Sequence, residues 1–188
     1  MLVSFEKRGS MSTRARVLAS LTALASAATV PAVAPRDAAA DSGDVRVVQL
    51  VERYREATWR WQRLMRVPLA PARLRSSARE TFRHDTVHAW RLRAMRAHRQ
   101  AHDPPHRAAW LCIQRHEGPW TADTGNGYHG GLQMDVAFQR TYGSALLARK
   151  GPAHRWLPIE QMWVAVRAHR SGRGFYPWAN AARRCGLI

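Results

Sequence analysis

Apolar residues recur at helical spacing along much of the chain. From Val45 to Arg66, one stripe is formed by Val47, Leu50, Val51, Tyr54, Ala57, Trp61, Leu64 and Met65, with Arg53, Arg55, Arg60 and Arg63 off it. The segment VPLAPARLRSS, with Pro68 and Pro71, interrupts the pattern. A second helical pattern runs from about Ala78 to Gln100, with Phe82, Val87, Trp90, Ala94 and Met95 facing inward. Two such stretches joined by a short break predict an antiparallel helical hairpin. It serves either as an anchoring or partner-binding module, or only as an extension that completes the core.

Asp103-Pro104-Pro105 marks the next boundary, with Asp103 placed to cap a following helix. In that helix Ala109, Cys112, Ile113 and His116/Glu117 share one face, and Gly118-Pro119 ends it. Thr124-Gly125-Asn126-Gly127 contains Asn-Gly and predicts a β-hairpin with short flanking strands. Gly130-Gly131 let the backbone approach another strand or a ligand closely. Asp135 reads as the N-cap of a helix with Phe138 and Tyr142 inside, ending near Gly143 or Gly151. Pro158 opens a last long helix, Ile159 to Arg170, with Ile159, Met162, Trp163 and Val166 toward the core. Ser171-Gly172-Arg173-Gly174 ends it, and Glu160 reads as first-turn helix charge.

The region before the first helix has a different character. Val17 to Ala34 is apolar, small and uncharged, preceded by Arg14 and Arg16 and followed by Ala38-Ala39-Ala40. That is the layout of a secretory signal peptide over residues 1–40, cleaved before Asp41. The run is alanine-rich and broken by Thr29 and Pro31, a poor permanent membrane span. The expected organisation is a leader (1–40), a helical hairpin (41–103) and a C-terminal domain (104–188). The expected location is secreted and wall-associated, with no stable membrane insertion after cleavage.

The 188 residues carry a formal net charge of +17, and every cation but Lys7 and Lys150 is an arginine. Such a chain is drawn to polyanions. With an export signal, the partner class is an anionic cell envelope; the plainer reading is solvated arginine-rich helix faces. Nucleic acid is not expected, because no nucleic-acid-binding motif is present. In an oxidising compartment the cysteine pair, Cys112 and Cys185, reads as a disulfide. The alternative is two unpaired buried thiols.

Glu117 is the candidate acid. It lies in the last helical turn, near the negative end of the helix dipole, with Trp110 and Trp120 close in sequence. Both influences favour a protonated carboxyl, as a general acid requires. His84/His88 and His98/His102/His106 have the i, i+4 spacing of paired metal ligands. No motif supplies a third ligand, so they read as solvated positions, and no metal or other cofactor is expected.

The stretch HEGPWTADTGNGYHGGLQMD resembles the transglycosylase-like domain of resuscitation-promoting factors, within the lysozyme-like superfamily. The shared features are the helical Glu117, Trp120, and Thr124 through Gln133. A weaker resemblance continues through Glu160-Gln161 to Trp178. The family places a cysteine directly before the catalytic Glu and its partner after a late Trp-Pro. Here His116 and Ala179-Asn180-Ala181 occupy those places, and Cys112 and Cys185 are both displaced. The resemblance implies an α+β, mainly helical, lysozyme-like fold with a small β-hairpin, preceded by the helical hairpin. It further implies cleavage of peptidoglycan glycan strands between N-acetylmuramic acid and N-acetylglucosamine by one general acid, Glu117, in cell-wall remodelling. The product would be hydrolysed or a 1,6-anhydro sugar.

Most glycosidases use two carboxylates. Asp123, at the hairpin entrance, is an electrostatic partner in the cleft or a turn cap. Tyr128, Gln133 and Trp178 are candidate sugar contacts, through aromatic faces and an amide. Each also suits packing or hairpin support. The competing reading of the whole chain is a non-catalytic wall-binding module that keeps the groove; retention of Glu117 at the helix end argues against it.

Overall fold

A computed structural model describes residues 37–72 and 80–188, with side chains described over 43–72 and 85–188. Most of the expected leader lies outside the described residues, as does the side chain of Phe82. Among the described residues no helix is long and apolar enough to cross a membrane.

The hairpin consists of α1 (Asp37–Met65) and α2 (Glu80–His102). Their seam is built from Thr58, Trp61 and Met65 on one side and Trp90, Ala94, Ala97 and Ala101 on the other, all buried. The alanines let the helices approach closely, and the large rings fill the seam. Trp59 meets Trp90 edge to face, with centroids 6.3 Å apart. The proline-bearing segment folds back on α1: Trp59 Nε1 donates to Ala70 O (2.8 Å), and Ala70 N donates to Gln62 Oε1 (2.9 Å). Leu50 and Met95, expected inside, are exposed. Met95 follows Ala94 by about 100° around the helix, which turns it off the seam. Leu50 borders a seam that runs through the half-buried Val47, Val51 and Tyr54. Thr58 lies within it, its hydroxyl donating to Tyr54 O (2.8 Å).

After the boundary come α3 (Arg107–Glu117), β1 (Tyr128–His129), β2 (Met134–Asp135), α4 (Val136–Lys150), α5 (Pro158–Ala168) and α6 (Ala179–Arg184). A 3-10 turn, Ala153–Arg155, precedes α5. A wide turn, His169–Arg173, and a second 3-10 turn, Tyr176–Trp178, link α5 to α6. This is the expected α+β, mainly helical, lysozyme-like class. The helix α5 is its axis: every residue from Ile159 to Val166 is buried. A helix covered on all sides sits at the centre of a core. That core is continuous with the base of the hairpin through Trp61, Met65, Ala97 and Ala101. Trp163 Nε1 donates to Ala101 O (2.7 Å). Arg167 donates from its two terminal nitrogens to Tyr142 O and Leu64 O. Burial, with Arg66 nearby, pushes its guanidinium down to about 10.

Two local expectations are corrected. Asp103 does not cap α3. Its N-cap is His106, in the left-handed region at φ 60° with no side-chain cap, and Trp110 Nε1 anchors the turn by donating to Pro105 O (2.8 Å). The buried residues of α3 are Trp110 and Ile113, whereas Ala109 and Cys112 are only half-buried and His116 is exposed. The inward face is therefore turned by about one position, and it still carries Glu117 seven residues after Trp110. Asp135 does cap α4, accepting from Phe138 N at 2.6 Å. Glu160 lies in the first turn of α5, as expected, and is buried there. It accepts from Lys150 Nζ with both oxygens (2.7 Å each) and from Leu157 N (2.8 Å).

Cys112 and Cys185 form a disulfide that ties α3 to the residue after α6. For a sequence separation of 73, the chain-entropy contribution is about 4 kcal/mol. The double variant Cys112→Ser/Cys185→Ser is expected to lose about that much in urea unfolding followed by circular dichroism.

Candidate active site

Glu117 closes α3 and is half-buried. Gly118, in the C-cap position at φ 150°, turns the chain away; its N–H reaches Gln114 O and its carbonyl accepts from Gln114 Nε2 (2.7 Å). Burial raises the Glu117 carboxyl above the ordinary range, and neighbouring His116 opposes this with a smaller effect. The charged form is the costly one, so the proton is held to higher pH than on a free glutamate.

The hairpin follows, in a different register from the one expected. Asn126-Gly127 does not join the two paired strands. Tyr128 pairs with Asp135 and His129 with Met134, around the tight turn Gly130–Gln133, where Gln133 N donates to Gly130 O (3.0 Å). Asn126-Gly127 instead lies in a preceding loop closed by a bridge between Asp123 and His129. Asn126 Oδ1 accepts from Tyr128 N (3.0 Å), a side-chain turn that competes with strand pairing.

Gly130-Gly131 are close approaches to neighbouring side chains. A Cβ on Gly131 would lie 2.8 Å from Trp120 Cε3 and 2.9 Å from Gln114 Cγ. One on Gly130, at φ 75°, would collide with the Gln161 amide. Gly131→Ala is therefore expected to cost roughly 1–3 kcal/mol of stability, read as a lowered Tm.

Two buried glutamines hold the hairpin to the core. Gln161 Oε1 accepts from Gly131 N (2.9 Å), while its Nε2 reaches Trp120 O (2.8 Å), Ala153 O (3.0 Å) and Trp156 O (3.2 Å). Gln139 Oε1 accepts from Ala153 N (2.9 Å), and its Nε2 donates to Met134 O (2.7 Å). Each side chain joins the hairpin region to the Ala153–Arg155 turn.

A groove of about 400 Å³ opens beside the hairpin, lined by Tyr128, Gln133, Thr141, Tyr142, Arg173 and Trp178 among others. Three of the four expected contacts thus meet on one surface. Tyr128 is exposed. Gln133 holds a left-handed backbone at φ 42°, uncommon for a residue with a side chain, and its Nε2 donates to Gly130 O (2.8 Å). Trp178 is buried, its indole N–H donating to Leu132 O (2.6 Å), so only part of its ring faces the groove. Glu117 and Asp123 do not line this groove. The residue after Glu117 lies near one wall residue: a Cβ on Gly118 would be 3.9 Å from Gln133 Nε2. Thr141, Tyr142 and Arg173 are further wall residues; helical spacing puts Tyr142 in the core, and the Ser171–Gly174 turn signals only a helix end. A second cavity, about 430 Å³, lies at the hairpin junction, with Arg60, Arg149 and Arg167 in its wall.

Asp123 is exposed and faces two imidazoles. His129 Nδ1 is 3.0 Å from Asp123 Oδ1, and His154 Nδ1 is 3.5 Å from Oδ2. No local spacing groups the three, because His154 lies on another element. Of the histidines weighed from spacing, His98 and His102 stack on each other (centroids 4.0 Å) and meet the Trp61 ring edge to face, while the side chain of His84 lies outside the described residues.

Over 70 residues, 37% of its length, the chain is 36% identical to resuscitation-promoting factor Rpf1 of Corynebacterium glutamicum. The matched part is 35% of that protein, so the chain spans about a third of the relative's length. This partial similarity points to a resuscitation-promoting-factor-like domain. No protein-family model matches the chain, and no solved structure matches it.

Proposed function

We propose that the chain is an exported enzyme that cleaves the glycan strand of peptidoglycan, with residues 104–188 as the lysozyme-like domain and 41–103 as its helical accessory. The bond is the β-1,4 linkage between N-acetylmuramic acid and N-acetylglucosamine. Glu117, protonated, gives its proton to the glycosidic oxygen as the C1–O bond breaks. The oxocarbenium-like carbon is then captured by water or by the sugar's own 6-hydroxyl, and the Glu117 carboxylate takes up the released proton. Tyr128, Gln133 and Trp178 bind the sugar rings.

The observation that carries this reading is the half-buried carboxyl of Glu117, its affinity for the proton raised, at the end of a helix whose next residue lies near Gln133 in the groove wall. The partial similarity to a resuscitation-promoting factor supports it. A non-catalytic wall binder is the second reading, favoured by the groove being lined without Glu117. Digestion of purified peptidoglycan separates the two: release of soluble muropeptides supports the enzyme, and wall binding without release supports the binder.

A further inference from the structure

The three side chains at the hairpin entrance form a ligand set independent of the sugar groove. Asp123, His129 and His154 each offer one ligand atom, and these lie within 4.8 Å of one another. The two Nδ1 atoms are 3.4 Å apart, and the carboxylate oxygens lie 3.0 and 3.5 Å from them. Ligand atoms about 2.0–2.1 Å from a tetrahedral zinc are separated by roughly 3.3 Å. The Nδ1–Nδ1 separation and the two N–O separations are all of that size, with the carboxylate turning Oδ1 to His129 and Oδ2 to His154.

The chemistry of the donors agrees. Two imidazoles and a carboxylate suit a borderline divalent ion of the zinc class. Both rings turn the same nitrogen to the carboxylate. A cation there accepts both lone pairs and offsets the carboxylate charge. The histidines are largely covered, with side-chain exposures of 15% and 17%, so the ligands are ordered while Asp123 leaves an approach from solvent.

The site is also pre-organised. The backbone bridge fixes Asp123 opposite His129. Gln139 and Gln161 both bond Ala153, the neighbour of His154, and so hold its turn against the hairpin region. Supporting hydrogen bonds of this kind orient metal ligands. The other candidate cluster, Cys112, His116 and Cys185, has both sulfurs committed to the disulfide.

We infer that Asp123, His129 and His154 form a binding site for one zinc-class divalent cation. It has three protein ligands and an open fourth position for water, and it clips the Asp123–His129 loop to the Ala153–Arg155 turn.

The test is zinc uptake by the full chain, stripped with chelator and kept non-reduced, followed by equilibrium dialysis and thermal unfolding. The expected result is one zinc per chain and a rise in Tm of roughly 5–10 °C at a hundredfold excess over Kd. His154→Ala and Asp123→Asn should each weaken uptake by about tenfold or more, while the metal-free variants still unfold cooperatively. His98→Ala/His102→Ala should bind as wild type does. Cobalt in place of zinc should give the intense visible bands of a four-coordinate site, lost in His154→Ala. Absence of uptake by wild type would overturn the proposal. So would undiminished uptake by both His154→Ala and Asp123→Asn, or loss confined to the His98/His102 variant.

Discussion

Glu117→Gln is expected to lower the rate of peptidoglycan cleavage by at least about 10²-fold while leaving the protein folded. The amide keeps the size and hydrogen-bonding reach of the carboxyl but has no proton to give, and positioned general acids contribute roughly 10²–10⁴ in rate. The pH profile of the wild type follows from the same group. Its carboxyl is raised by burial, so activity should fall as pH rises through that raised value. Stability should move in the same direction as activity. A carboxyl whose folded pKa is raised binds its proton more tightly in the folded than in the unfolded state. Folding therefore loses stability as pH rises from the ordinary carboxylate range through the folded value. Glu117→Gln removes that loss and should be at least as stable as wild type at neutral pH. The difference should shrink at pH values below the ordinary carboxylate range. Urea unfolding at two pH values, beside a turbidity assay on cell walls, measures both effects.

Gln161→Leu is expected to cost about 5 kcal/mol or more, enough to leave much of the population unfolded at physiological temperature. Leucine matches the volume but strands Gly131 N–H and the carbonyls of Trp120 and Trp156, while Ala153 O keeps only its bond from Trp156 N. Each buried group left without a partner costs about 1–3 kcal/mol, against a total stability of about 5–15 kcal/mol for a domain. Losses above about 4–5 kcal/mol are rare for one substitution, and here three groups lose their partner together. Gln161→Glu keeps the accepting oxygen toward Gly131 but loses the donor, and should be damaged as well. Thermal unfolding checks the order wild type, then either variant far below it.

These two residues differ in how visible they were before the fold was known. Glu117 was legible because its signals are local: a helical stripe, Gly118-Pro119 after it, and a glycine-rich stretch beyond. The Asp135 cap is equally local, set by one side chain and the N–H three residues on. Gln161 left no such trace. It lies in IEQMWVAV, where only the apolar positions were read as inward, yet α5 is covered on every side. Periodicity cannot mark an inward polar residue on a helix that has no outward face. The hairpin register was missed because Asn-Gly is a strong turn signal wherever it occurs. The strands pair instead around Gly130–Gln133, where Gly130 and Gly131 must pass against Gln161 and Trp120. Asp123, His129 and His154 come together only through packing, since the Ala153–Arg155 turn returns beside the hairpin.

The proposed chemistry rests on Glu117, and the most direct test is a matched digest. Purified peptidoglycan is incubated with wild type and with Glu117→Gln, and the soluble sugars are read by mass spectrometry. Wild type alone should release muropeptides cut between N-acetylmuramic acid and N-acetylglucosamine, with a deficit of one water marking a 1,6-anhydro product. Equal release by the two proteins would contradict the role of Glu117, and binding without release by either would contradict the enzyme itself.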